Sequence, residues 1–374
     1  MENRRILFGL SLIVLIAFGC STKVELNAPY KSTTLVFGLL DPTLDTQWVK
    51  INRTWLGDGN NLDYAMIRDS SEYPAGSFTA VVEELVNGIV VNSFPLIDTL
   101  LENKEQNPGD IFYAPEHTAY YFVPNNSNLN EEALYRLNID FQNNDDVDAM
   151  TNLIQSEPGS ITQPPGGVPN FKFNLASVGQ TFTQYPDLTF KWNTTENARR
   201  YEVLLNITYV ENIFEDLAHT VLVESNVRTI NWNLGIVTSS SDAGNETLEK
   251  VVNTEQFYIL LQNMLDADPY ITRELGIWDE EVQIARAFDF VLTVANDELS
   301  TYLQINEPVT GIVQDRPEYT NINNGLGLFA SRATQAVYGI GYTSSSMKAL
   351  VEGEYTAALN FCTPNPFSEY YCGN

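Results

Sequence analysis

Apolar and polar residues alternate over much of this chain, and the alternating runs are short. Val, Ile, Tyr, Trp and Thr are prominent in "TTLVFGLLD" (33–41), "TQWVKINRTWL" (46–56), "SFTAVVEELVNGIVVNSFPL" (77–96) and "ALYRLNIDF" (133–141). A period of two sends successive side chains to opposite faces of a strand, so one face can be buried while the other meets solvent. In the second run Trp48, Lys50 and Asn52 share one face, and Val49, Ile51 and Arg53 share the other. Asn87-Gly88 lies between two strand-like runs, and this pair favours the left-handed backbone of a two-residue hairpin. Strands at such spacing, with no helical pattern between them, predict an antiparallel sandwich of immunoglobulin or transthyretin type over residues 34–156.

The densest Pro/Gly stretch, "EPGSITQPPGGVPN" (157–170), predicts a linker. Beyond it, "LTFKWNTTENARRYEVLLNITYVE" (188–211) resembles a fibronectin type III or immunoglobulin-like pattern. In that pattern a strand bearing a buried Trp, here Trp192, precedes a turn and a strand with alternating Tyr201, Val203, Leu205 and Ile207. Helical spacing appears in 253–268, where Phe257, Leu260, Leu261, Met264 and Leu265 recur, with Thr254 at the N-cap position and Pro269 past the end. It appears again in 344–361, opening at a serine cap and weakened by Gly353. Residues 284–296 and 325–342 read as strands. The expected fold is mainly β: the N-terminal sandwich, then a second immunoglobulin/fibronectin-like domain over 171–374 with one or two packed helices.

The first nineteen residues follow another pattern. Arg4 and Arg5 precede an uncharged run from Ile6 to Phe18, thirteen residues long. A helix needs about 20 apolar residues to cross a bilayer, whereas a basic start, a short apolar run and small residues near the cut describe an export signal. The run stops at Cys20. Ala17-Phe18-Gly19-Cys20 resembles the lipobox of bacterial lipoproteins, although the commonest version has Leu three residues before the cysteine and a small residue two before it. The likeness implies a signal peptide over 1–19, a lipid on Cys20 and a tether over 20–33; a secretory signal cut elsewhere is the alternative. Two or three acyl chains, at ~0.8 kcal/mol per buried methylene, hold a protein on a membrane essentially permanently.

Charge narrows the partners. The chain holds 48 Asp and Glu against 20 Lys and Arg, a formal net charge of −28. Loss of residues 1–19 removes Glu2, Arg4 and Arg5, a net +1, so −28 becomes −29. Such a surface repels nucleic acid and anionic lipid, and neither is an expected partner. With 44% hydrophobic and 11% aromatic residues, the chain is nonetheless able to form real cores. The cysteines besides Cys20 are Cys362 and Cys372, an even pair in an exported protein; the expected disulfide closes a short loop containing Pro364 and Pro366. A metal site on this pair is the rival reading, and neither His117 nor His219 lies near it in sequence.

A further likeness is broader. Together with the lipobox, "VKINRTWLGDGNNLDYAMIRDSSEY" (49–73), "IVQDRPEYTNINNGLGLFASR" (312–332) and "LNFC" (359–362) resemble a family of Bacteroidota outer-membrane lipoproteins with a domain of unknown function. Members carry an N-terminal sandwich and a late "GLGLF"-like strand preceded by Asn and Gly, and several are encoded beside TonB-dependent transporters. The resemblance spans most of the chain after residue 20. It implies lipid-anchored residence at the outer membrane, facing the periplasm or the surface, and an accessory role in binding or uptake. It supplies no catalytic motif.

Several constellations invite chemistry. "GDGNNLD" (57–63) gathers Asp58, Asn60 and Asp63, oxygen ligands at a spacing that suits calcium, but the glycine falls second and no Glu closes the loop, so a plain Asp/Asn/Gly turn is favoured. Asp145, Asp146 and Asp148 read as a solvated acidic loop. Gly325 and Gly327 lack the G-x-G-x-x-G context of a dinucleotide site and are expected to serve a bulge or a close backbone approach; no cofactor is expected. The chain has no G-x-S-x-G elbow, and His117 and His219 are each expected to have a local partner. Among 48 acids no carboxylate pair stands out. There remains "IFYAPEHTAYYFVP" (111–124), where Tyr113, Tyr120 and Tyr121 would make a platform for a glycan or peptide ligand; in the competing reading these rings alternate in and out of the sandwich. The expected function is non-catalytic binding as an accessory to a transporter or envelope assembly. The alternatives are a glycan-active hydrolase and a purely structural envelope protein.

Overall fold

A computed structural model describes residues 30–373 apart from 58, 103, 114, 126–127, 143–144, 156–160 and 308–317. The expected signal peptide, Cys20 and most of the expected tether lie outside the described residues.

The protein is mainly β. Its N-terminal unit contains β1 (Thr34–Leu40), β2 (Gln47–Arg53), β3 (Phe78–Val86), β4 (Ile89–Pro95), β5 (Ile97–Leu101), β6 (His117–Phe122), β7 (Leu134–Phe141) and β8 (Val147–Asn152). Two short helices, α1 (Asn61–Ala65) and α2 (Arg68–Ser71), stand between β2 and β3. The expected hairpin joins β3 to β4, with Asn87 and Gly88 at φ values of 53° and 76°. Positive φ at both turn positions matches the twist of the flanking strands, which is why Asn-Gly is suited to this bend.

Two sheets face each other. One runs β4-β3-β7-β8 and ends on β21 (Ile322–Asn323); the other runs β5-β6-β2-β1 and continues into β22 (Gly325–Tyr342). Val36, Leu40, Val49 and Ile51 meet Val82, Tyr135, Leu137 and Ile139 between them, all essentially out of contact with solvent. Burial of one such side chain stabilises by roughly 1.5–3 kcal/mol.

β22 belongs to both halves of the molecule. Gly325 to Ser331 pair with Thr34 to Leu40 of β1, in parallel. Arg332 to Ile340 then pair antiparallel with β20 (Phe288–Ala295). The sandwich expected to be antiparallel therefore contains one parallel pair, because these strands come from opposite ends of the chain and no hairpin joins them. Residues 322–331, which lie in the expected C-terminal domain, complete the N-terminal sheets. Gly327 shows the close approach expected of it: its φ is +116°, and a Cβ there would lie 2.0 Å from the Val36 carbonyl oxygen.

The second half comprises β9 (Ile161–Gln163), β10 (Lys172–Phe173), β11 (Ser177–Val178), β12 (Thr183–Gln184), β13 (Asp187–Asn193), β14 (Arg200–Phe214), β15 (Leu222–Thr238), β16 (Thr247–Asn253), β17 (Ile271–Leu275), β18 (Ile277–Asp279), β19 (Ile284–Arg286) and β23 (Phe361–Cys362), besides β20 and the end of β22. One layer runs β23-β17-β14-β20-β22, with β15 paired along β14; β16-β13-β9 form a separate sheet. Trp192, Tyr201, Val203, Leu205 and Ile207 are all buried, as the alternation requires. Phe190 stacks on Phe290 at 4.5 Å between ring centres. β9 falls inside the expected linker, where Ile161 and Gln163 pair with β13.

Among the described residues three α-helices accompany these sheets: α3 (Glu255–Met264), α4 (Asp297–Asn306) and α5 (Ser344–Glu352). Thr254 occupies the N-cap position of α3 but makes no side-chain capping bond; its hydroxyl donates to the Pro186 carbonyl instead. Thr343 rather than a serine caps α5, accepting from the Ser346 N–H at 3.2 Å, and Gly353 ends that helix instead of weakening its interior. α4 has no counterpart in the sequence reading, because Ser, Thr, Gln and Asn dilute its apolar face. The expected Cys362–Cys372 disulfide is present, with the two Cα atoms 5.0 Å apart.

Candidate functional site

On the sheet face opposite the sandwich core, β1 presents Leu35 and Phe37, and β2 presents Trp48, Lys50 and Asn52. Near the end of β2, helix α2 and the loop from Lys104 to Glu116 enclose a cavity of about 400 Å³ over this face. The Tyr113 N–H donates to the Ala65 carbonyl at 2.9 Å, which seats the loop on α1. The Lys104 N–H donates to the Pro115 carbonyl and closes the base of the loop.

Charge in this cavity runs against the rest of the chain. Lys50, Arg53, Arg68 and Lys104 line it, against Glu72 and Glu116. The Glu72 carboxylate is the hub. It accepts the Thr118 N–H at 2.8 Å, the Thr118 hydroxyl at 2.6 Å and Arg68 Nε at 2.8 Å, and Lys50 Nζ lies 3.7 Å away. Lys50 Nζ also donates to the Thr118 carbonyl at 2.7 Å, so β2, α2 and β6 are tied at one point. Arg53 donates through Nη2 to the Asp69 carbonyl at 2.7 Å and lies over the Tyr73 ring.

Protonation follows from this arrangement. Burial pushes the Glu72 carboxyl up, but the Thr118 and Arg68 hydrogen bonds and the Lys50 charge outweigh it, leaving the pKa below the usual value. Burial lowers the Lys50 ammonium, which Glu72 partly offsets. Burial, then the Lys50 and Lys104 charges, hold the His117 imidazole below its ordinary range, so it is neutral at pH 7.

Four buried polar atoms of the lining residues have no hydrogen-bond partner: Asn52 Oδ1, Arg53 Nε, Trp55 Nε1 and His117 Nδ1. A buried donor or acceptor left unpaired costs about 1–3 kcal/mol, and these four atoms lie shut off from solvent. The aromatic part of the lining is Trp55 and Phe112, edge to face at 6.3 Å, with Tyr113 beside them.

The proposed tyrosine platform does not form as one surface. Tyr113 lines the basic cavity. Tyr120 turns inward against Phe78 at 5.4 Å, and burial and the Asp98 charge push its hydroxyl up to about 12. Tyr121 turns the other way and packs on Trp48 at 5.3 Å. Phe122 is buried on Phe94. The reading in which the rings alternate in and out describes β6, because neighbouring residues of a strand face opposite ways.

Tyr120 instead borders a second cavity, of about 580 Å³, on the far side of Glu72. A third hollow, about 450 Å³, is apolar and lies between Phe37, Trp48 and α4 residues Leu299, Tyr302 and Leu303. His219 has its local partner, the Pro269 carbonyl at 2.8 Å, whereas His117 keeps Nδ1 unpaired. Asp58 lies outside the described residues, and Asn60 is occupied in capping α1, accepting from the Leu62 N–H. Asp145 pairs with Lys31 and Asp148 accepts from Asn323. Among the described residues no group of three His, Cys, Asp or Glu is placed to hold a metal, and no helix is long and apolar enough to cross a membrane.

Sequence reasoning missed the basic residues as a set. A signal existed, since Lys50, Arg53 and Arg68, three of only 20 Lys and Arg, fall within one short stretch of an acidic chain. No family model matches the chain, and no curated protein matches it. Among solved structures, the C-terminal globular domain of an oligosaccharyltransferase from Pyrococcus abyssi is similar over 67% of this chain at 12% identity, with a TM-score of 0.21. The match spans 48% of that chain, about half its length, and nothing is carried over from it.

Proposed function

We propose that this chain is a non-catalytic, lipid-anchored binding protein of the bacterial outer membrane, accessory to a TonB-dependent transporter or another envelope assembly. Its ligand site is the basic cavity over β2. The observation that carries this reading is the gathering of surplus positive charge, beside the Trp55 and Phe112 rings, in one cavity of a strongly acidic chain. An anion entering there meets charges whose attraction is screened far less than on the open surface. The acidic exterior repels other anions and so favours selectivity at this one place.

Binding rather than catalysis is supported by Glu72. The Glu72 carboxylate accepts from the Thr118 N–H on one oxygen and from the Thr118 hydroxyl and Arg68 Nε on the other, so both oxygens are committed to holding the cavity wall together rather than turned to a substrate. The address rests on the short apolar run ending at Cys20.

Purification of the native protein from membranes in mild detergent tests both parts of the assignment. The amino-terminal peptide is expected to begin at an acylated Cys20, and an outer-membrane transporter or other envelope protein is expected to co-elute. An unmodified Cys20 thiol overturns the anchor, and elution without any envelope protein overturns the accessory role.

A further inference from the structure

We infer that two copies of this chain pair along the free edge of β15, antiparallel about a two-fold axis at Asn226, so that Glu224 of each copy meets Arg228 of the other. This goes beyond the proposed function and is independent of the cavity over β2.

β15 is a long edge. It spans 17 residues and pairs with β14 alone, whereas β5 and β23, the other ends of the same sheet, span 5 and 2. An edge strand presents unpaired N–H and C=O groups, and proteins ordinarily guard it with brevity, proline or a covering element. The distal part of β15 has none of these guards. Residues 222–229 contain no proline, and all are exposed except the half-buried Asn226. Val223 and Val227, on one face of the strand, are 64% and 62% exposed.

The residue order about Asn226 is self-complementary, as a two-fold interface between identical surfaces requires. In an antiparallel pair centred there, Glu224 lies opposite Arg228, Ser225 opposite Val227 and Val223 opposite Thr229. Period two puts both Glu–Arg pairs on one face and gathers Val223 and Val227 of the two copies on the other. A register moved by two residues either way sets both charges opposite uncharged residues; one moved by four sets like charges opposite each other. The charges are also available. Glu211 is engaged by the buried Arg273 at 3.3 Å and lies 3.6 Å from Arg228, which is itself exposed. Glu224 is exposed and accepts from Asn226 Nδ2 of its own strand at 2.7 Å. A strand from another protein would hydrogen-bond along the same edge, but opposite charges equally spaced about one residue favour a second copy, and the foreign strand becomes an arm of the test.

Sedimentation of the full chain in mild detergent, over a range of protein concentrations, is expected to show a reversible dimer. Glu224→Arg or Arg228→Glu alone sets like charges opposite each other at both pairs and should weaken the dimer about tenfold. An equimolar mixture of the two variants, or both substitutions in one chain, should restore it, which a variant that had merely misfolded would not do. Asn226→Cys should give a disulfide-linked dimer on mild oxidation, because directly opposite Cβ atoms lie about 4.5–5.5 Å apart, close to disulfide reach. Thr229→Cys, roughly 20 Å from its own counterpart at 3.3 Å per residue, should not cross-link beyond the unsubstituted chain. A chain that stays monomeric at every concentration overturns the inference. A dimer indifferent to both charge reversals overturns it too, and cross-linking of Asn226→Cys to another envelope protein instead of to itself would assign this edge to a foreign strand.

Discussion

The two halves of this protein bury polar atoms in different surroundings. The C-terminal core leaves Trp192 Nε1 unpaired among close-packed rings, and none of the cavities described above reaches it. In the N-terminal half the unpaired atoms of Asn52, Arg53, Trp55 and His117 are equally shut off from solvent, but the residues that carry them also line a cavity. In both halves the penalty is a cost that packing outweighs; what differs is the charge and aromatic surface that the same N-terminal residues bring to an open wall. An unpaired atom by itself therefore does not separate structural cost from functional potential.

The largest effect expected is at the packed half. Phe290→Ala removes a fully buried ring stacked on Phe190 and should destabilise by about 3–5 kcal/mol. Chemical denaturation would measure it, and a loss below about 1 kcal/mol would show that this stack is not what holds the C-terminal core.

Cys372→Ser comes next. Opening a ring whose cysteines are 10 residues apart in sequence should cost about 2–3 kcal/mol, read as a lower denaturation midpoint that added reductant no longer shifts. An unchanged midpoint would mean that the terminal loop is held without the bridge.

Asn52→Leu sharpens the contrast from the other side. Removal of an unpaired acceptor should leave stability unchanged or raise it by up to ~1 kcal/mol, read by chemical denaturation. A protein made clearly less stable would place Asn52 among the structural residues.

The smallest effects are those of pH. The Glu72 carboxyl titrates below its usual 4.5 in the folded protein, so its stabilising contribution is present above the unfolded pKa and is lost as pH falls through the folded one. Glu72→Gln should flatten this acid limb of the stability profile. His117 acts in the same direction at higher pH: its folded pKa lies below the usual 6.5, so the unfolded chain gains protons first as pH falls through that value. His117→Gln should remove that part of the slope, and a slope unchanged by either substitution would assign it to other groups.

Local order was legible in the residues. Alternation placed β1, β2, β3, β4 and β7, Asn87-Gly88 placed a hairpin, and Trp192 with Tyr201, Val203, Leu205 and Ile207 marked inward faces. Cysteine parity identified the terminal bridge. These features depend on neighbours close in sequence. The parallel pairing of β1 with β22 joins residues almost three hundred positions apart, and no local pattern announces it. The cavity is similar in kind: Lys50, Arg68, Lys104 and His117 come from a strand, a helix, a loop and another strand, and only the fold makes them neighbours. The tyrosines failed as a platform for the converse reason, since adjacency along β6 sends Tyr120 and Tyr121 to opposite sides.

The strand shared by both halves also sets an order in time. Synthesis delivers Thr34 early, yet the parallel neighbour of β1 is incomplete until Ser331 has emerged. Throughout that interval β1 has an unsatisfied edge, the kind of surface that recruits stray strands. The half that emerges first consequently stays unsealed until most of the chain has been made, and a nascent chain stalled before residue 325 would carry an open flank into whatever compartment it had reached.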